Sequence, residues 1–399
     1  MADIEQPASL WMQRIQEIPT HGGAANKTDV LQVTYPDHEQ TTDLEYISGS
    51  IIDINGRPTL KIVERDKWHP LQVTSYIRVL KEYNILEKWI EVKSTGKEGK
   101  ITIQNLMSGS ILLPTDRYVM TQLSGSELGE FHPYTSDITP GLKVIENRMF
   151  KSNDNMPWFL IRPKQSESDP TGPAWWGCVH YSGNWKIAFD DDYERKYNYT
   201  LQVAAGINFQ NTTWTLPPGQ TFTTPVFSVG YTNGAEEGAA RDNEAYLRNT
   251  ILPEEYRYQL RPVIFNGWVT TTFNVNDSIE LKLARAAASL GVELFVMDDG
   301  WFKGRTNGSA GLGDWVVDKN KFPNGLEPLI DSVHSMGMKF GLWVEPESVV
   351  TNSDVYRKHP NWVLGPEHGP RPGRMFINLA REDVFQHLFR SLNKILTDQ

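Results

Sequence analysis

Residues Leu294–Trp301 read LFVMDDGW: a short apolar run, two adjacent aspartates, a glycine and a tryptophan. Leu294–Met297 is too short for a helix and is predicted to be a buried strand. Two carboxylates directly after such a strand are costly to place unless they bind something. Upstream, Arg261–Trp268 (RPVIFNGW) is predicted as another buried strand. Asp277 and Glu280 then offer a capping box. Ile279, Leu283, Ala287 and Leu290 follow at helical spacing, and Gly291 stops the helix. Downstream, Leu326, Leu329, Ile330 and Val333 form a second helical stripe ended by Gly337, and Lys339–Val344 (KFGLWV) is a third strand. Phe385, Leu388, Phe389, Leu392 and Ile395 predict a last helix.

Strands alternating with amphipathic helices predict parallel βαβ units, whose working residues lie at the carboxyl ends of the strands. Those ends are Asn266-Gly267-Trp268, Asp298-Asp299-Gly300-Trp301, and Trp343 running into Glu345-Pro346-Glu347. A closed eightfold β/α barrel needs about 250 residues, more than 261–399 contain. The expectation is therefore a smaller open sheet or the first part of a barrel. The stretch 302–325 between helix and strand is long, and long loops in compact domains are often functional.

Before residue 255 the texture changes to short β-rich runs split by Gly, Pro, Asn and Asp. Lys100–Leu106, Ser110–Leu113, Trp158–Arg162 and Thr200–Gly206 read as strands, and Leu216–Thr224 (LPPGQTFTT) as a turn between strands. Many short strands with few helical periods predict an antiparallel β-sandwich. The expected organisation is a sandwich domain over 1–255 and an α/β domain over 256–399.

Composition narrows the function. Only 22% of the residues are charged and none of the apolar runs approaches the roughly 18 residues of a membrane span. The net charge of −10 argues against nucleic acid or an anionic membrane as partner. The single cysteine, Cys178, excludes an internal disulfide framework and a cysteine-built zinc site, and reads as structural rather than nucleophilic. Thirteen tryptophans hint at carbohydrate, whose C–H faces aromatic rings can cover, although most are expected in the core. The run Asp190–Asp192 reads as a solvated turn. Asn-x-Ser/Thr sequons occur at Asn26, Asn198, Asn211, Asn276 and Asn307, while MADIEQPASLW shows no signal pattern, so the compartment stays open.

Clustered carboxylates can hold a hard cation, with Asp298, Asp299, Glu345 and Glu347 as candidates. No His sits beside these strand ends, and the neighbouring tryptophans fit sugar hydroxyls better: a carboxylate accepts two hydroxyl hydrogen bonds while a ring covers the sugar face. Phosphate-binding loops, dinucleotide fingerprints, HExxH and GxSxG elbows are missing from the sequence.

At these strand ends the sequence resembles the α-galactosidases of glycoside hydrolase family 36, especially the fungal type. The resemblance rests on LFVMDDGWF, GLGDWV (Gly311–Val316), FPNGLEPL (Phe322–Leu329), FGLWVEPE (Phe340–Glu347), SDVYRKHPNWVL (Ser353–Leu364) and GRMFINLAREDV (Gly373–Val384). Looser matches are LQVTYPDHEQTTDLEYIS (Leu31–Ser48), NMPWFLIRP (Asn155–Pro163), YSGNW (Tyr181–Trp185) and AAGIN (Ala204–Asn208). It implies an N-terminal β-sandwich followed by a catalytic (β/α)8 TIM barrel, and retaining hydrolysis of terminal α-galactosides such as melibiose and raffinose without metal or cofactor. Asp298 and Asp299 match aspartates that bind galactose hydroxyls. Trp343 matches a tryptophan lining the sugar pocket, Arg374 an arginine that helps hold the site, and Trp268 and Trp301 tryptophans at or near the pocket floor.

The resemblance also carries departures. The family's nucleophile lies in a Lys-Trp-Asp-x-Asn motif on the fourth barrel strand, with the acid/base aspartate beyond it; neither occurs in these 399 residues. Val269 stands where relatives usually have Glu, and Asn378 where many have Asp. The expectation is therefore an α-galactosidase truncated before its nucleophile, with an incomplete barrel, half a galactose pocket, no catalytic residues and no hydrolysis alone. A non-catalytic galactoside-binding protein and an α-N-acetylgalactosaminidase are the alternatives. Relatives often form homo-tetramers, which is the assembly expected of a full-length parent; the sequons suggest that such a parent is exported.

Overall fold

The structure is a computed structural model that describes residues 16–23, 28–114, 116–125, 129–148, 155–166, 169, 171–191, 199–365 and 373–398, the last residue and 199–200 by their backbone alone. The sequons at Asn26 and Asn198, and Asp192, lie outside the described residues. The chain divides into two compact units, Met1–Arg257 and Tyr258–Gln399.

The first unit contains sixteen strands among the described residues. They are β1 (Leu31–Thr34), β2 (Leu44–Ile54), β3 (Arg57–Asp66), β4 (Leu71–Leu80), β5 (Ile85–Ser94), β6 (Ile101–Pro114), β7 (Tyr118–Ser124) and β8 (His132–Asp137). There follow β9 (Gly141–Glu146), β10 (Asn155–Pro163), β11 (Ala174–Val179), β12 (Trp185–Asp191), β13 (Tyr199–Ile207), β14 (Trp214–Leu216), β15 (Thr221–Thr223) and β16 (Phe227–Thr232). A six-stranded sheet runs β1-β6-β13-β12-β9 with β14 on β6, and a ten-stranded sheet runs β2-β3-β4-β5-β16-β11-β10-β7-β8 with β15 on β5. Every described pairing in these two sheets is antiparallel. Inward residues of both sheets share their cores: Val33 and Ile103 meet Val73 and Ile90, while Phe189 and Val203 meet Phe159 and Phe227. Where the two layers face each other the inward side chains are buried, as on β1, whereas β2 and β8 bury no residue.

Three readings in this unit change. Leu216–Thr224, read as a turn, holds the end of β14 and the whole of β15, which pairs with β5. The runs at Lys100–Leu106 and Ser110–Leu113 belong to one strand, β6. An extra residue at Ser108 shifts its register against β13, a bulge that bends the strand instead of ending it. Asp190 and Asp191 are not a solvated turn: they finish β12, and Asp190 accepts the Thr28 backbone and hydroxyl hydrogen bonds, both at 2.9 Å. Burial pushes the Cys178 thiol up to about 12, so it stays protonated. Helix α1 (Ala235–Tyr246) closes this unit.

The second unit holds β17 (Ile264–Asn266), α2 (Trp268–Thr271), α3 (Asp277–Ser289), β18 (Leu294–Met297), α4 (Glu327–Ser335) and β19 (Lys339–Leu342). It continues with β20 (Ser348–Val350), α5 (Asp354–Lys358), β21 (Arg374–Phe376) and α6 (Glu382–Asp398). Strands β17, β18 and β19 form a parallel three-stranded sheet with β18 in the centre. Helices α3 and α4 pack on it through Ala284, Ala287, Leu329 and Val333, around Phe295 and Met297.

The predicted buried strand at Arg261–Trp268 is shorter and lies open. It pairs only with β18, so Ile264 is 57% exposed, and Trp268 already begins α2. The capping box at Asp277 and Glu280 does not form. Asn276 is the N-cap of α3 and its side chain accepts the Ile279 N–H at 3.0 Å, so Glu280 sits one place too late. The buried line of α3 is Glu280, Ala284 and Ala287, and Leu290 is exposed.

Candidate functional site

Because β17, β18 and β19 are parallel, their carboxyl ends share one edge of the sheet. This is where open α/β sheets place ligands. At the end of β18 the chain turns through Asp298-Asp299-Gly300. Gly300 has φ of +111°, and a side chain there would start 3.0 Å from Val275 and 3.1 Å from the Phe273 backbone. Only glycine allows that turn to pack so closely.

The two aspartates receive different surroundings. Asp298 is half-buried. Its Oδ2 accepts the Asn266 side-chain amide at 2.6 Å and its Oδ1 accepts the Asp299 N–H at 2.7 Å. Asn266 in turn accepts the Trp268 N–H at 2.8 Å, so the ends of β17 and β18 orient one another. Two donors leave lone pairs of the Asp298 carboxylate open for a ligand. Asp299 is buried and paired side-on with Arg305: Nε donates to Oδ1 at 2.8 Å and Nη2 to Oδ2 at 2.6 Å. The Arg305 Nη1 donates to the Gly308 and Ala310 carbonyls, and its guanidinium lies 5.0 Å from the centre of the Phe273 ring. With both carboxylate oxygens and most guanidinium donors occupied, this buried pair fastens the 302–325 loop to the end of β18.

Lys321 does the same from the far side of that loop. Its Nζ donates to the carbonyls of Phe273, Gly300 and Arg305 at 2.9, 2.6 and 2.7 Å, using all three donors. Burial lowers its pKa, with Asp318 and Asp299 opposing the shift.

At the end of β19, the Trp343 N–H donates to the Met297 carbonyl at 3.0 Å. Trp343 is half-buried and lies 6.2 Å from Trp315 and 6.5 Å from Phe302, centre to centre. Trp301 is only 1% exposed and donates its indole N–H to the Trp343 carbonyl at 2.9 Å, so it props Trp343 from beneath. Trp268 is half-buried with its ring edge-on to Phe273 at 5.2 Å.

Arg374 reaches this region through β21, which pairs antiparallel with β20 directly after the β19 end. It forms an ion pair with Glu345. Burial lowers its pKa, as does the Arg305 charge, while Asp299 acts in the opposite direction, placing Arg374 within electrostatic range of the buried pair.

Thus Asp298, Asp299, Trp301, Trp343 and Trp268 cluster around the strand ends, and Arg374 joins them from the second ladder. Sequence reasoning missed Arg305, Lys321 and Trp315. Arg305 and Lys321 lie in a loop without periodicity; the length of that loop was the available signal. Glu280 was read as a cap but is 1% exposed, has neither carboxylate oxygen hydrogen-bonded, and lies 3.9 Å from where a Gly267 side chain would begin. Burial raises its pKa to about 7. The arrangement offers one oriented acceptor carboxylate, a half-exposed indole and a guanidinium, a set suited to holding hydroxyl groups. Asp299 and Glu345 already carry a cationic partner each.

Residues 2–217 match the glycosyl hydrolase family 36 N-terminal domain, and residues 221–399 match the Melibiase family. Alpha-galactosidase AgaA of Geobacillus stearothermophilus is 30% identical over 96% of this chain and 54% of its own length. Probable alpha-galactosidase C of Aspergillus oryzae is also 30% identical, over 96% of this chain and 54% of its own. A bacterial and a fungal relative are thus equally similar, and a fungal type is not singled out. The crystal structure of a variant of the Geobacillus enzyme with stachyose superposes with a TM-score of 0.89 at 30% identity, covering 96% of this chain and 55% of that one. The galactosidase domain of AgaSK, an alpha-galactosidase-sucrose kinase, gives 0.89 at 26% identity over 96% of this chain and 55% of that one. The chain spans about half the length of the curated relatives it matches.

Proposed function

This chain belongs to glycosyl hydrolase family 36, and on that premise we propose that it forms the sugar-binding part of an α-galactosidase acting on terminal α-D-galactosides of the melibiose and raffinose class. In this reading the β17-β18-β19 sheet is the first part of a (β/α)8 barrel, and its carboxyl edge is the rim of the galactose pocket.

The observation that carries the reading is Asp298, a half-buried carboxylate held by Asn266 and its own chain with open lone pairs, at the edge where the Trp343 backbone N–H reaches the Met297 carbonyl. It accepts galactose hydroxyl hydrogen bonds while the Trp343 ring covers the sugar's apolar face. Asp299 acts through Arg305, holding the loop that shapes the pocket. Trp301 supports Trp343, Trp268 walls the β17 side, and Arg374 with Glu345 supplies a charged rim.

Retaining glycosidases need a nucleophile and an acid/base carboxyl about 5–5.5 Å apart. Asp299 and Glu345 are each engaged by an arginine, and the Lys-Trp-Asp-x-Asn motif is absent from the sequence. We therefore assign binding and not bond cleavage to these 399 residues: groups that position a sugar do not split its glycosidic bond without the reacting carboxyl pair.

Calorimetry with melibiose and turnover of a chromogenic α-galactoside, both on the 399-residue chain, test this. Binding that weakens at least tenfold in Asp298→Ala, without turnover, is expected. Turnover by pure protein that Asp299→Ala abolishes would overturn the division between binding and chemistry. Melibiose binding indifferent to Asp298→Ala would overturn the site.

A further inference from the structure

The six-stranded sheet of the N-terminal unit carries a hollow of about 360 Å³, within the range of roughly 300–1,000 Å³ that small-molecule sites occupy. Its floor follows from strand register. Glu146 at the end of β9 stands opposite Lys186 on β12, and Lys186 stands opposite Gly206 on β13. Gly206 contributes no side chain to this row. The Lys186 stem crosses β13 and its Nζ donates to Asn105 Oδ1 on β6 at 3.2 Å. Gln32 on β1 stands next to Asn105 in register and lines the hollow with it. Asn208 and Phe209, just after β13, form another wall. Both are buried, and the Asn208 amide donates to Glu146 Oε2 at 2.8 Å and to the Asn147 carbonyl at 3.2 Å.

The side chains here are ordered by one another yet hold unused hydrogen-bonding capacity. Lys186 spends one of its three donors on Asn105. Gln104 also lines the hollow. Burial lowers the Lys186 pKa, with Glu146 opposing the shift.

The chemistry selects the ligand class. Lys186 is the one cationic side chain lining the hollow, beside the carboxylates Glu146 and Asp29, which Arg148 and His21 engage; a phosphate would meet a single ammonium and two acceptor groups there. Among the described residues no three acidic, His or Cys side chains converge to hold a metal ion. Phe209 is the single aromatic wall, too little for a wholly apolar ligand. What remains is a mixture of amide donors, amide and carboxylate acceptors, one ammonium and one ring face. Vicinal hydroxyls, each both donor and acceptor, match that mixture.

We propose that this hollow is a second carbohydrate site, binding one or two units of a neutral sugar on the sandwich unit through Lys186, Asn105, Gln104 and Glu146. The ligand class is read from the hollow alone; the choice of an α-galactoside as probe rests on the function proposed above.

The experiment is calorimetry of the full 399-residue chain with raffinose, on the parent and on three variants. Asp298→Ala removes the strand-end site; Lys186→Met dismantles the hollow. Gln210→Trp blocks the hollow from an exposed position on its rim, where folding is not at stake. Raffinose should bind the parent at two sites per chain and Asp298→Ala at the weaker one alone, and either Lys186→Met or Gln210→Trp added to that background should weaken the remaining binding at least tenfold. Loss of all binding in Asp298→Ala overturns the second site and leaves the proposed function standing. Binding in Asp298→Ala that neither added variant changes also overturns it. Binding unaffected by Asp298→Ala but lost with Lys186→Met supports the second site and removes the first. Inorganic phosphate displacing raffinose from the Asp298→Ala chain would overturn the neutral-sugar assignment.

Discussion

Among the described residues, the most deeply buried carboxylates of the two units, Glu87 and Glu280, are treated differently. In the sandwich unit Glu87 is buried, but its carboxylate takes the Arg78 guanidinium at 2.6 and 2.7 Å and the Tyr246 hydroxyl at 2.6 Å. Asp66 is likewise filled by the backbone N–H groups of Asp43, Trp68 and His69. In the βα unit Asp299 is as well satisfied as these, yet Glu280, more deeply buried, has nothing. Large apolar side chains are exposed in both units: Ile264 on β17 and Phe385 and Phe389 on α6 in one, Tyr46 and Ile51 on β2 and Val79 on β4 in the other. The sandwich satisfies Glu87 and Asp66 from within, although its Glu64 Oε2 and Gln104 Oε1 stay buried without a partner. A small parallel sheet gathers its polar residues at one end and leaves its outer strand unpaired on one side.

The largest test of that contrast is Arg305→Ala. It strands the buried Asp299 carboxylate, and breaking a buried pair by removing one partner costs about 3–5 kcal/mol. The unfolding transition of the second unit should fall by that amount in urea, and melibiose binding should weaken with it. Arg78→Ala in the sandwich should cost less, because Glu87 keeps the Tyr246 hydroxyl. Equal losses would remove the contrast.

Glu280 sharpens it through pH. Its ordinary pKa is 4.5 and burial raises it to about 7 in the folded chain. The folded state therefore holds the proton more tightly. Its contribution to stability is complete below about pH 4.5 and is lost as pH rises through 7, a total of ~3 kcal/mol. Urea melts should show the second unit weakening between pH 5 and pH 8, and Glu280→Gln should flatten that slope. An unchanged slope would mean that Glu280 is solvated. The smallest effect is expected at Asn276→Ala, which removes the α3 cap and costs about 1 kcal/mol, read as a lower melting temperature of the second unit. Asp277→Ala should do less, since Asn276 and not Asp277 holds the cap.

Much of this was legible in the residues. The β18 strand, the helix stops at Gly291 and Gly337, and the polar strand ends at 266, 298 and 343 were readable because each depends on neighbours in the chain. The α3 cap was misread because two acidic residues near a helix start look alike whichever residue lies at the cap; the turn geometry at Asn276 decides. The openness of β17 was misread because an apolar run does not say how many strands flank it. Arg305 escaped notice because a cation inside an aperiodic loop looks like any solvated arginine until the loop folds back on Asp299.

The residues alone established the β18 strand, the apolar stripes of α3, α4 and α6 and the passage from β-rich to alternating texture, beside a family resemblance carried by the DDGW and WVEPE motifs. These are local properties, set by side-chain period and by the few residues that break it. Three-dimensional packing alone decided that Asp298 stays open while Asp299 is locked. It also brought Arg374 to Glu345 across the β20–β21 ladder, and left Glu280 buried without a partner. Each of these outcomes depends on which distant group arrives within hydrogen-bonding reach. That is a matter of chain path and burial, and spacing along the sequence does not encode it.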